Sequence, residues 1–392
     1  MPLVRNETLE KAWEEILATA LGRRVEARAL ALMVSRQSAR YRGEAVNLAH
    51  GDGLAARTLF WFPRDVHKSA LPVQELLAAG AIADRPLRVL DLGAGLGATS
   101  FGAVRALRGR RVVAHITAVD QDPQALAILR RVAAGAVKAG VLPAIEELVT
   151  ETRDLATHGW DRGLGEYDLV LAGLSFVELS RALGDERVRA QALASHFETA
   201  LTHVAEGGSL VVIEPATREE ARALQQAREV LLARGVTVFA PCPHTRPCPM
   251  LADERDWCHE DLADVSLPPW LIPIAREAGL RWEGLTFSYL TLRRDGATLA
   301  EALRKGQSRV SLRLLSAPIV SKGKVEVIAC GDVPGERAST RLMELARDAK
   351  RATGTTLADT TRGDVITVQP DTVSAEGKTA RLTPGTWERA NT

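Results

Sequence analysis

The chain predicts a doubly wound α/β fold, preceded by a helical region and followed by a small β-rich unit. Three observations carry that expectation. From about residue 86 short β-rich runs alternate with amphipathic helical patterns, the signature of parallel strands joined by crossover helices. A glycine-rich turn opens this stretch, and an acid closes its second strand. Beyond about 295 the texture changes to short strands and turns. The chain divides accordingly into residues 1–80, 81–294 and 295–392, with a cysteine-rich insertion at 241–268.

Residues 9–21 and 27–33 carry apolar side chains at three- and four-residue steps and are expected to be helical. Arg23, Arg24, Arg36, Arg40 and Arg42 lie between and after them, with Tyr41 in the last group. Such a face is either simply solvated or a contact for RNA phosphates, Tyr41 then stacking on a base. Buried parallel strands are expected at Arg88–Asp91, His115–Asp120, Ile145–Thr150, Tyr167–Gly173 and Ser209–Glu214. Helices are expected between them at Ala98–Leu107, Pro123–Ala139, Val188–Val204 and Arg218–Arg234. Val236–Ala240 and Phe287–Leu292 supply the last strands, with a helix near Pro269–Ala278. In the third region strands are expected at Val310–Leu315, Gly323–Cys330 and Gly363–Val368, a helix at Ser339–Ala352, and a loosely ordered polar tail at Ser374–Thr392.

The composition narrows the class. With 392 residues, 46% hydrophobic and 25% charged, the chain can build two or three domains with real cores and is not a disordered protein. No apolar run approaches the roughly 20 residues that span a bilayer, and the N-terminus shows no secretion signal. A cytoplasmic monomer without a membrane partner is expected. A net charge of +1 excludes a protein coated in positive charge but leaves room for a local basic face. Between Arg281 and Lys324 the basic residues Arg281, Arg293, Arg294, Arg304, Lys305, Arg309, Arg313, Lys322 and Lys324 outnumber the acids and are expected to form such a face.

The glycine turn reads Asp91-Leu-Gly93-Ala-Gly95-Leu-Gly97, directly after a strand and before a helix. Asp120 ends the next strand, twenty-three positions after Gly97, where a carboxylate can accept hydrogen bonds from both ribose hydroxyls of a nucleoside. The spacing alone would fit a dinucleotide enzyme. An acid ahead of the glycines, and a turn lacking the later third glycine of the pyrophosphate fingerprint, favour S-adenosylmethionine (SAM). This pattern resembles the first motif of the class I SAM-dependent methyltransferases. The resemblance implies that Gly93, Gly95 and Gly97 flank the methionine and ribose, that Asp120 holds the ribose, that Asp154 sits beside the adenine and that Asp91 lies near the ammonium group. After the fourth strand, Leu171–Leu179 contains neither the Asn/Asp-Pro-Pro-aromatic motif of amino-group methyltransferases nor a cysteine nucleophile. Ser175 and Glu178 are its polar candidates, and no catalytic residue is assigned.

All four cysteines of the chain are candidate ligands. Cys242, Cys248 and Cys258 fall within seventeen positions of a Pro- and His-rich loop, and Cys330 follows in a later strand. In a reducing compartment they are ligands rather than disulfide partners. Four thiolates suit an iron–sulfur cluster or tetrahedral zinc, with His244 and His259 as reserve zinc ligands. A radical SAM site is a poor fit, since the chain lacks a tight Cys-x3-Cys-x2-Cys loop.

Here a more specific resemblance enters. Cys242-Pro-His244, Cys248-Pro-Met250, Asp256-Trp-Cys-His259, Phe287-Ser-Tyr-Leu290 and Pro318–Gly323 stand behind a SAM-type turn. The combination is similar to the methyltransferase-like assembly factors of the mitochondrial small ribosomal subunit and their bacterial relatives, over most of residues 36–330. Ser38–Arg42 and Ile213-Glu-Pro215 share in it, while the stretch after His259, the segment after the fourth strand and the region past about 335 depart from it. The resemblance implies a [4Fe–4S] cluster on Cys242, Cys248, Cys258 and Cys330, and as partner the small-subunit rRNA or the immature small ribosomal subunit. Two functions are thus expected: an rRNA-binding assembly factor with a SAM fold and a cluster, or an active rRNA methyltransferase with a structural zinc.

Overall fold

The structure is a computed structural model and describes residues 7–107, 113–142, 145–263, 265, 267–304, 306–335, 338–373 and 379–390, with backbone alone at 7–10. Lys305 and residues 374–378 of the tail lie outside the described residues.

Eight strands form the central sheet: β1 Leu87–Leu92, β2 Ala114–Asp120, β3 Ile145–Thr152, β4 Tyr167–Gly173, β5 Val204–Glu214, β6 Thr237–Ala240, β7 Glu260–Leu262 and β8 Leu285–Arg293. Their order is β3-β2-β1-β4-β5-β8-β6, with β7 added to β8. The first five run parallel, and β8 enters antiparallel between β5 and β6. This is the strand order and sense of the class I methyltransferase fold, and the Rossmann-like expectation holds. Successive residues of the inner strands face opposite cores. Val89, Leu171 and Val211 join Phe60, Phe62 and Phe101 on one side, while Leu90, Val170 and Val212 join Phe176, Phe197 and Leu231 on the other. β3 departs from the expectation of a buried strand. It closes the sheet, and most of its residues reach solvent, so it pairs along one edge only.

The helical region covers the first of these cores. Its helices are Glu7–Leu21, Ala27–Tyr41, His50–Ala56, Phe62–Asp65 and Ala70–Ala78, with a π-helical turn at Arg57–Trp61. The second helix runs eight residues past the expected end at Met33 and so carries Arg36, Arg40 and Tyr41. Trp13 meets Phe62 edge-on, with ring centroids 5.1 Å apart, and Phe62 meets Phe101 of the helix Ala98–Ala106. That helix starts at the glycine turn, so its seating positions the turn. Gly102 makes the seat possible: a Cβ there would stand 2.0 Å from the Val66 carbonyl oxygen and 2.4 Å from the Ser69 hydroxyl. Because the nearest atom is backbone, the helix itself must shift. Gly102→Ala is expected to lower stability by about 1–3 kcal/mol, read as an earlier midpoint in urea denaturation.

The C-terminal unit is a second sheet of β9 Val310–Leu314, β10 Ile319–Ser321, β11 Lys324–Gly331, β12 Ser339–Leu345, β13 Val365–Val368, β14 Ala380–Leu382 and β15 Trp387–Arg389. Its order is β14-β12-β11-β9-β13-β15, with β10 on β11, around a core of Leu312, Val327, Leu342, Ile366 and Trp387. Two expectations are corrected here. Ser339–Ala352 is not a helix: its first seven residues pair antiparallel with β11, Leu342 and Glu344 are buried at period two, and only Ala346–Ala349 is helical. The polar tail is not loose throughout, since β14 and β15 both belong to the sheet and bury Leu382 and Trp387.

The expected basic face of residues 281–324 is corrected in part. Arg313 is buried between Glu75 and Glu260, Arg293 is buried against Asp295, and Arg281, Arg309 and Lys324 pair with Asp261, Glu388 and Glu326. Arg293 and Arg313 thus serve the interior, while Arg294 and Lys322 stay exposed. Among the described residues, no helix is long and apolar enough to cross a membrane.

Candidate cofactor-binding site and metal centre

The strand order reverses between β1 and β4, and in such sheets the crevice outside the carboxyl ends at that point is where ligands bind. A cavity of about 930 Å³ lies there, lined by Gly93, Gly95, Asp120, Asp154, Ser175 and Glu178 among others. That is near the top of the roughly 300–1,000 Å³ of small-molecule sites.

The glycine turn forms because its three glycines take positive φ: +69° at Gly93, +53° at Gly95 and +84° at Gly97. At Gly93 space matters too, since a Cβ would fall 2.5 Å from the Cβ of Ser175. Asp120 is fixed from two sides. Its Oδ2 accepts the Gly95 N–H at 2.8 Å and its Oδ1 accepts the Asp122 N–H at 2.8 Å. Burial pushes its carboxyl up while those two donors oppose the shift. Each oxygen keeps a lone pair for a ligand hydroxyl. Asp154 stands on the same cavity, with its Oδ1 accepting the Ala156 N–H at 2.9 Å.

Asp91 is placed differently. It is fully buried beneath the turn, where its Oδ2 accepts the Ser100 N–H at 3.2 Å and its Oδ1 has no partner. Burial, countered in part by Ser100, pushes its carboxyl up to about 7. Any action on a ligand passes through the turn and not by contact. Gly97 begins the following helix and is not part of the lining.

Several lining residues escaped sequence reasoning. Leu174, directly after β4, is the one non-glycine described residue with positive φ, at +60°, a strained conformation that clusters at functional sites. Arg57, Trp61 and Asp65 reach the cavity from the π-helical turn and the helix after it. Such turns mark functional positions often enough to be a signal, but a sequence does not display them. Arg57 bonds Asp122 at 2.6 Å, and His50 faces the same carboxylate at 3.5 Å. Tyr41 also lines the cavity, edge-on to Trp61 with centroids 5.7 Å apart, rather than standing on an open RNA-binding surface. Glu214, at the end of β5, is fully buried; its Oε1 accepts the Val177 N–H at 3.2 Å, and its Oε2 is unpaired.

Farther along the same carboxyl-end rim of the sheet, Cys242 follows β6 and Cys258 precedes β7. Cys242, Cys248 and Cys258 line one small cavity, and Cys330 of β11, the strand partner of Arg313, lies near enough to act on Cys258. Cys248 and Cys330 are buried and the other two half-buried, all as free thiols. Burial and the neighbouring thiols act together: the Cys248 thiol is pushed up to about 12 by burial and by Cys242. Cys258 is raised by burial and by Cys248, Cys242 and Cys330, and Cys330 by burial, Cys242 and Cys248. Thiols crowded this way ionise only if a cation compensates them. Arg228, wholly buried, is close enough that Cys242, Glu229 and Cys248 outweigh the effect of burial and hold its guanidinium charged.

Among the described residues, no three or more His, Cys, Asp or Glu side chains are grouped to hold one metal ion. The two histidines are otherwise engaged. His244 faces the Arg246 carbonyl at 3.1 Å. His259 stacks on Trp257, and its Nδ1 accepts from Arg362 at 3.3 Å.

Comparison with solved structures finds magnesium protoporphyrin IX methyltransferase from Synechocystis PCC 6803 with bound SAM, 14% identical over 69% of this chain and 99% of that one, with a TM-score of 0.35. Precorrin-6y C5,15-methyltransferase from Geobacter metallireducens GS-15 is 16% identical, over 56% and 87%, with a TM-score of 0.31. TrmN from Thermus thermophilus is 18% identical, over 61% and 53%, with a TM-score of 0.32. Comparison with curated proteins finds no match. Residues 73–347 match the family described as mitochondrial small ribosomal subunit Rsm22. That span takes in the glycine turn, Asp120, the fourth-strand segment and all four cysteines, and the chain belongs to the Rsm22 family.

Proposed function

We propose that the chain is a small ribosomal subunit assembly factor that docks on ribosomal RNA, holds SAM in the cavity above β1 and β4, and carries a [4Fe–4S] cluster on Cys242, Cys248, Cys258 and Cys330. The observation that carries the cofactor half is Asp120: a carboxylate at the end of β2, fixed by two backbone N–H groups and facing the cavity with acceptor capacity to spare. In this reading Asp120 takes the ribose hydroxyls, Gly93 and Gly95 let the backbone approach the cofactor, and Gly97 opens the helix behind them. Asp154 borders the adenine, and Asp91 adds negative field beneath the turn toward the ammonium group. SAM would supply an electrophilic methyl group; the chain's own residues bind and orient it.

Support for the cluster comes from the donor set. Cys242, Cys248 and Cys258 line one small cavity with the buried Arg228 guanidinium, and Cys330 lies near enough to act on Cys258. A cubane takes one thiolate on each of its four irons, and the four cysteines supply that number. Support for the ribosomal partner comes from the family. The segment after β4 offers no recognised catalytic group, which favours a binding role for the methyltransferase fold over turnover.

Anaerobically purified protein is expected to be brown, to contain iron and sulfide in equal amounts, and to lose both in Cys248→Ser. Labelled SAM is expected to bind the protein and to be lost at least tenfold in Asp120→Ala, since two charge-assisted hydrogen bonds are removed. Colourless protein with stoichiometric zinc would give the site to the alternative metal. Methyl transfer to immature small subunits that disappears in Asp120→Ala would make the protein an active rRNA methyltransferase.

A further inference from the structure

The large cavity has two unlike halves. One is the glycine turn with Asp120 and Asp154. The other is walled by Gln37, Tyr41 and Trp61 from the helical region and by Asp65, Glu178 and Arg181. This second half is a cluster and not a loose rim. Gln37 stands beside the Tyr41 hydroxyl, and the charges of Arg57, Glu178 and Asp65 all act on that ring. Glu178 is open to solvent yet crowded, burial of its surroundings pushing its carboxyl up against the pull of Arg181 and Arg57. Leu174, strained at positive φ, forms part of the floor.

A pocket with two aromatic rings, two carboxylates, a guanidinium and a primary amide suits a flat ring with a hydrogen-bonding edge. Aromatic faces take the ring by stacking, while Gln37 can donate and accept and Glu178 can accept. An aliphatic side chain would leave those polar groups unpaired. The approach is basic: Arg36 and Arg40 are exposed one turn apart on the helix that ends in Tyr41, as phosphates flanking a bound base require. The cavity is concave, so a base would have to leave its stack to enter.

We propose that this half of the cavity is a subsite for one unstacked nucleobase of a single-stranded RNA, stacked on Tyr41 or Trp61 and read on its edge by Gln37 and Glu178. Its place beside the cofactor rests on the SAM reading of the other half.

The test uses the full chain and a short single-stranded RNA carrying one fluorescent purine analogue. Binding is expected to quench the analogue. Tyr41→Leu is expected to weaken affinity roughly tenfold and restore fluorescence, as loss of one base–aromatic stack does. Tyr41→Phe should keep the quench, and Glu178→Gln should weaken affinity several-fold. The same strand in a duplex should show no quench. RNA binding without quenching, or quenching unchanged in both Tyr41→Leu and Glu178→Gln, would overturn the subsite. If the unaltered chain quenches the analogue but binds no labelled SAM, the nucleobase site stands and the cofactor reading falls.

Discussion

Arg313→Ala is expected to destabilise the folded chain by about 3–5 kcal/mol, the usual cost of removing one partner from a buried ion pair. The guanidinium is 2% exposed and meets two carboxylates, Glu75 and Glu260, that are 1% and 3% exposed. Its Nε donates to the Pro241 carbonyl at 2.7 Å, and an Nη donates to the Gly363 carbonyl at 3.0 Å. Tyr289 completes the group by donating to Glu75 at 2.5 Å. One side chain from β9 thus ties together the helical region through Glu75, the central sheet through Tyr289, and the cysteine loop at both of its ends. Without it two carboxylates remain in a site that already pushes Glu260 up by burial, against the pull of Arg313 itself. Lysine is no remedy, because a point charge cannot serve four acceptors spread around a planar fork. Pro241 precedes Cys242, Glu260 follows Cys258 by two, and Cys330 is the β-partner of Arg313. If the proposed cluster is present, the same substitution is therefore expected to lower iron content along with the urea midpoint. A loss below about 1 kcal/mol would show that the network is not what joins the two sheets.

Much of this architecture was legible in the sequence because its signals are local. The central strands show as apolar runs, since strands covered on both faces have no polar side to display. Their glycine turn shows because positive φ selects glycine. The four cysteines were found for the same reason: they are rare and chemically distinct. What could not be read depends on contacts distant in sequence. Ser339–Leu345 looked helical in isolation and became a strand because β11 pairs along its whole length. Arg313 and Arg293 looked like surface cations because a sequence cannot show Glu75 lying 238 positions from Arg313 or Ser209 lying 84 from Arg293. Arg57, Trp61 and Leu174 entered the site through a π-turn and a strained residue, both imposed by packing. Asp91 was recognised from its place before the glycines. Its burial and unpaired oxygen were not, and they carry a consequence for stability.

That consequence is a pH dependence of opposite sign to ordinary acid denaturation. Asp91 rises from 3.8 to about 7 on folding, chiefly through burial, so between those values the folded chain binds the proton that the unfolded chain releases. The stabilising contribution is full below pH 4 and is lost as pH climbs through 7, amounting to about 4 kcal/mol at most. Other groups shape the absolute curve, so the measurement is a difference. Asp91→Asn keeps the shape and an acceptor for the Ser100 N–H but cannot ionise. Its unpaired amide costs about 1–3 kcal/mol at every pH, whereas the wild-type penalty appears only as the carboxylate forms. The variant should therefore be the less stable protein at pH 4 and gain on the wild type steadily to pH 8. Parallel curves in urea denaturation would place the charge elsewhere. A cationic ligand seated beyond the glycine turn favours the ionised carboxylate, so saturating SAM should flatten the wild-type slope and leave that of Asp91→Asn unchanged. The buried acid beneath the turn would then act as a charge that the empty fold neutralises with a proton and the loaded fold with its cofactor.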